Sequence, residues 1–188
     1  MATRGAYGVK IDGKYRLNYH HFDSFPEYLG RDICSLIAEI NRDGGWDVFT
    51  TNFRKVALVY PGDTASDELV QRYKHPNEED DGKGVAEWYN LLRGFQGARL
   101  LRGIYKGEIA HFPEASDFIR DSYCEYAYAI NCDEMVFEYY RGGQTSPQPG
   151  NPFGITPNAD GYYPCRLVVK IPLADIDENT FMELIDRG

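Results

Sequence analysis

The sequence predicts an α+β fold, a largely antiparallel sheet with covering helices, on three observations. Strand-turn-strand patterns stand at the start of the chain and again beyond residue 120. Helical periodicities fill the interval and close the C-terminal end, and no alternating βαβ units are evident. The 188 residues are read as one domain, 1–188, a length that buries roughly 70% of the unfolded surface without disulfide or metal.

Residues 4 to 20 read as strand, turn, strand, because RGAYGVKI and KYRLNYH alternate on either side of Asp12-Gly13. The few charges in RGAYGVKI put this pair at the centre of the sheet. After the loop FDSFPEYLG, the run RDICSLIAEINRD sets Ile33, Leu36, Ile37 and Ile40 at helical spacing, and Gly44-Gly45 ends it. VFTTNFRKVALVY fits a helix or a strand, being dense in apolar residues of which several are β-branched. PGDTASDELVQRYK holds a helix start, and HPNEEDDGKG, the most polar stretch, reads as an exposed loop. VAEWYNLLRGFQG then lines up Val85, Trp88, Leu91, Leu92 and Phe95 on one helical face, with a stop at Gly94 or Gly97.

YCEYAYAIN and MVFEYYRGG, joined by Cys132-Asp133-Glu134, form a second predicted hairpin. QTSPQPGNPFGITPNADG is a Pro/Gly/Asn-rich loop, long enough to suggest function or mobility. YYPCRLVVKIP is a further strand and LADIDENTFMELIDR a terminal helix.

Composition narrows the function. A formal net charge of −9 opposes binding to duplex nucleic acid, whose affinity comes from a basic surface that releases counterions. A local basic pocket for a small anion remains compatible with it. Cys34, Cys124, Cys132 and Cys165 form no zinc-type pair and read as reduced thiols of a cytoplasmic protein. No apolar run reaches the ~20 residues that span a bilayer and no signal-peptide order is present, so no membrane partner is expected. Homo-oligomerisation is left open.

Two stretches carry candidate chemistry. In NYHHFDSFP a continued strand would place His21 and Asp23 on one face and His20 on the other. The pair would make a base with its orienting partner, or two metal ligands lacking a third; alternatively Asp23 or Ser24 caps the turn into the helix. In the second hairpin, Glu125 is either a buried acid or a strand carboxylate on the solvated face, and Tyr139, Tyr140 and Arg141 either line a pocket mouth or simply end a strand. Arg93, Arg99 and Arg102 cluster in RGFQGARLLR, either as receivers of phosphate or carboxylate or as a solvated face.

The pieces TRGAYG, NYHHFDSFPEYLG, EWYNLLRGFQG, CEYAYAIN, FEYYRGG and YYPCRLVVKIPL together resemble a family of uncharacterised bacterial and phage proteins. More distantly, the opening is similar to that of choloylglycine-hydrolase-like N-terminal-nucleophile hydrolases, with Thr3 and Asp23 fitting in position. This second resemblance implies an αββα sandwich and amide hydrolysis by an N-terminal thiol, with the free α-amino group as base. Position 2 is Ala2, which has no nucleophilic atom. The expectation is therefore a small polar ligand-binding protein, or a hydrolase inactive in this form, without metal or cofactor. Its catalytic candidates are Thr3, His21 and Asp23, and its ligand-binding candidates are Arg4, His20, Glu125, Tyr139 and Arg141. The alternative is a phage-type counter-defence protein that sequesters or cleaves a nucleotide signal in an aromatic pocket with arginines.

Overall fold

The computed structural model describes residues 3–73 and 87–186. Ala2 and the polar stretch at 75–84 lie outside the described residues. The first hairpin forms where alternation places it, with β1 (Gly5–Ile11) antiparallel to β2 (Lys14–His20). Asp12 and Gly13 take φ of 52° and 74°, as a two-residue type I′ turn requires. Asp133 clamps this turn from the other hairpin, its carboxylate accepting the Asp12 and Gly13 N–H groups at 2.8 Å each.

Helix α1 (Arg31–Asp43) buries Ile33, Leu36, Ile37 and Ile40 and stops at the left-handed Gly44. The ambiguous segment after it divides into both of its readings. In α2 (Trp46–Lys55), Phe49 and Phe53 sit one turn apart and fully buried, whereas Val56 is extended and leads into β3 (Ala57–Val59). Helix α3 (Asp67–Tyr73) follows. Of the helix expected over VAEWYNLLRGFQG, Val85 and Ala86 lie outside the described residues, and the rest forms α4 (Trp88–Leu91) followed by a 3-10 turn at Arg93–Phe95. Gly97 at φ 72° breaks the path, and α5 (Ala98–Tyr105) starts anew, burying Leu100, Leu101 and Ile104.

The short β4 (His111–Pro113) pairs parallel with β3. Strands β5 (Tyr126–Asn131) and β6 (Val136–Arg141) form the second hairpin, β7 (Arg166–Pro172) adds to β6, and α6 (Glu178–Asp186) closes the chain. Asp177 caps α6, accepting the Thr180 N–H at 2.8 Å.

The large sheet runs β2-β1-β5-β6-β7, and every neighbouring pair is antiparallel except β1 with β5. The α+β class thus stands, with a mixed but mostly antiparallel sheet. Only β1 of the first hairpin is internal; β2 is an edge strand, which corrects the expectation of a central pair.

Period-two alternation sorts the strands onto two cores. Tyr7, Val9, Ile11, Tyr128, Ile130, Phe137 and Tyr139 face the helices. Ala6, Leu17, Ala127, Ala129 and Tyr140 face a smaller core completed by Ile119, Phe153 and the thiols Cys124 and Cys165. The long Pro/Gly-rich loop therefore has a structural part. Its Phe153 is 7% exposed and packs on Tyr15 and Tyr140 at ring distances of 4.6 and 5.3 Å. Because this loop and the 3-10 turn Ser116–Arg120 fill the second face, the described residues hold one large sheet and the two-stranded β3-β4 sheet. The two large stacked layers of an αββα sandwich are not found among them.

Candidate ligand-binding site

The histidines of NYHHFDSFP do face opposite ways, but the partnership with Asp23 is reversed from the sequence expectation. His20 turns to the helical side, edge-on to Tyr7, with Nδ1 2.9 Å from the Ser24 hydroxyl. Burial pushes its imidazole down to about 4, against the field of Asp23. His21 turns away, its Nδ1 2.6 Å from the Tyr19 hydroxyl. Asp23 is exposed at φ 52°, and among the described residues its carboxylate has no hydrogen-bond partner. It shares with His20, Asp32, Arg93 and Arg99 a shallow cleft of about 360 Å³. Arg102 is elsewhere, paired with Glu39 at 2.8 Å.

Ser24, not Asp23, organises the turn. Fully buried, it donates its N–H to the Thr3 carbonyl at 3.3 Å, and its carbonyl accepts the Tyr128 hydroxyl at 2.8 Å. Thr3 is buried at 6%. Among the described residues the side chains of Thr3, His21 and Asp23 make no hydrogen bond to one another, so these catalytic candidates are not joined into one constellation.

Of its two readings, buried acid or solvated-face carboxylate, Glu125 takes the second: it is exposed and accepts the Arg4 N–H at 3.4 Å. Arg4 itself lies over the Tyr123 ring at 5.1 Å. The buried acid of the second hairpin is Glu138, 0% exposed. Its carboxylate receives the Tyr140 and Tyr15 hydroxyls at 2.6 and 2.8 Å, the Asn131 amide at 2.8 Å and the Lys170 ammonium at 3.3 Å. The signal was in FEYY: Phe137 and Tyr139 claim the helical face, so Glu138 must face the other core. Saturated by its partners, it is a structural acid.

Tyr139 and Arg141 do come together, in a cleft of about 430 Å³ between the end of the sheet, the π-helical turn Pro26–Gly30 and α6. Its floor is a row of parallel rings produced by strand register. Tyr126 and Tyr139 lie 6.4 Å apart at 13°, and Tyr139 and Tyr128 5.5 Å apart at 15°. Arg141 is the register partner of Tyr126 on one side and of Arg166 on the other. Its guanidinium stands 5.2 Å from the Tyr126 ring, a cation–π distance, and hydrogen-bonds the Tyr139 hydroxyl. Both arginines are exposed, and among the described residues no ion pair neutralises either. Burial raises the Tyr139 phenol, with Arg141 opposing. Phe25 and Glu27 form the opposite wall. Arg166, Tyr126 and Phe25 went unnoticed in the sequence, where YCEYAYAIN read simply as a strand and CRLVVKIP as its neighbour.

Comparison with family models, curated proteins and solved structures finds no match for the chain.

Proposed function

We propose that the protein binds a small, planar, anionic ligand of the nucleotide class in the cleft of Tyr126, Tyr139, Arg141 and Arg166. The observation that carries this reading is the adjacency of two unneutralised guanidinium groups to stacked tyrosine rings. Guanidinium forks suit phosphate or carboxylate oxygens, the rings offer an aromatic face to a base, and Glu27 supplies an acceptor for an exocyclic amine. The volume falls in the range of small-molecule pockets. An N-terminal-nucleophile mechanism would need a thiol or hydroxyl that Ala2 does not carry. Sequestration of a nucleotide signal, the counter-defence role, needs no more chemistry than this.

Calorimetry with AMP and adenosine tests the reading. AMP is expected to bind, adenosine to bind at least about tenfold more weakly, and Arg141→Ala or Arg166→Ala to cost AMP a similar factor with an unchanged circular dichroism spectrum. Equal binding of AMP and adenosine, or wild-type affinity in both variants, would sink it.

A further inference from the structure

A second cleft, of about 430 Å³, opens on the other side of the molecule's aromatic edge and has the opposite chemistry. Tyr19, Tyr60, Trp88 and Tyr89 contribute its rings, and Asp63, Glu87 and Glu114 its charges. No lysine, arginine or histidine lines it among the described residues.

Its walls are built rather than collapsed. Trp88 is stacked on His111 at 4.4 Å and 26°, and His111 is tied to the Tyr73 hydroxyl at 3.0 Å. Tyr19 and Tyr89 lean together at 6.0 Å. The turn carrying Tyr60 is closed by the Asp63 carboxylate, which accepts the Tyr60 N–H at 2.8 Å. Residue Glu87 is brought alongside by an antiparallel bridge to Thr64.

Asp63 is bonded to a backbone N–H and Glu114 to the N–H and hydroxyl of Ser116, neutral donors that orient a carboxylate without cancelling it. Ring faces and carboxylates that meet no cationic side chain among the described residues together disfavour anions and select a cation that keeps little water: an ammonium whose hydrogens are replaced by alkyl groups. Tyr60 and Tyr89, 51% and 38% exposed, leave the mouth open.

We propose that this cleft binds a small alkylated ammonium compound, independently of the arginine cleft. Choline is the probe and 3,3-dimethylbutan-1-ol its neutral isostere, both titrated calorimetrically into the full chain. Choline should bind saturably, and the isostere about tenfold more weakly or worse. Tyr60→Ala, at a half-exposed position that leaves the fold intact, and Glu87→Gln should each weaken choline several-fold, whereas Arg141→Ala should leave it unchanged. The proposal is overturned if choline shows no saturable binding, if the isostere binds as tightly, or if both Tyr60→Ala and Glu87→Gln bind choline like the wild type. Loss of choline binding in Arg141→Ala would overturn the independence of the two clefts.

Discussion

His20 shows how one side chain acquires a pH dependence from its surroundings. Its ring is packed between Tyr7 and Ser24, and burial holds it down to about 4. Such a histidine takes up its proton preferentially in the unfolded chain. Its stabilising contribution is therefore complete above about pH 6.5 and declines as pH falls toward 4. The ceiling is about 3 kcal/mol, less whatever water recovers at the partly exposed edge. Melting curves between pH 7 and 4 should show a fall in Tm for the wild type that His20→Gln reduces; parallel curves would refute the assignment. Glu138 is the other instructive residue. Removing it takes away the acceptor of the Tyr15 and Tyr140 hydroxyls and of the Asn131 amide; the amide keeps Glu134, but the two phenols have only each other. Glu138→Ala should cost about 3 kcal/mol or more, lowering Tm by roughly 10 °C; a loss below a few degrees would mean water replaces the carboxylate. Neither environment was legible in the sequence. Adjacent letters reveal which face a side chain takes, but the Tyr15 hydroxyl on Glu138 and the Tyr128 hydroxyl on Ser24 come from more than 100 positions away.

Among the elements, those with a local chemical signature were the legible ones. Asp12-Gly13 fixed the first hairpin, and the Ile33-Leu36-Ile37-Ile40 spacing fixed α1. Where the apolar pattern served two structures, as over α2 and β3, the boundary fell at Val56 through packing of Phe49 and Phe53, a tertiary matter. Within the hairpin, Gly8 is as consequential as the turn. A Cβ there would lie 2.0 Å from the Arg16 carbonyl oxygen, so alanine forces β1 and β2 apart. Gly8→Ala should lower Tm by several degrees, well beyond the about 1 kcal/mol scale of propensity alone. An unchanged Tm would mean that the strands separate there without cost. The same side-by-side geometry makes the arginine cleft, since register alone puts Arg141 beside both Tyr126 and Arg166. Tyr139 and Arg141 could be nominated from one strand. Arg166 and Phe25 could not, because they join the cleft only once β7 and the π-helical turn are in place.

At the level of the whole molecule, the sheet is closed by a parallel seam between β1 and β5. No short-range periodicity announces a pairing between strands more than 100 residues apart, whereas the antiparallel pairs β1-β2 and β5-β6 are legible because they are local hairpins. The seam also ties distant segments together. Arg4 and Glu125, 121 positions apart, meet across its end, and Ser24 is bonded to Tyr128 just beyond it.

That seam sets an order of events during biosynthesis. The first hairpin can close as soon as it leaves the ribosome, giving β1 one neighbour, but its second neighbour is not made until more than 100 residues later. At roughly 5–20 residues per second, an apolar strand edge waits open for about 5 to 20 seconds. A nascent chain halted after Arg120 should accordingly be prone to aggregate or to recruit a chaperone, and adding residues 121–141 should relieve this. A soluble, monomeric 1–120 fragment would contradict that order. The strand at the heart of the finished sheet is thus made more than 100 residues before it is enclosed, and the protein's exposure to misassembly is greatest before the arginine cleft exists.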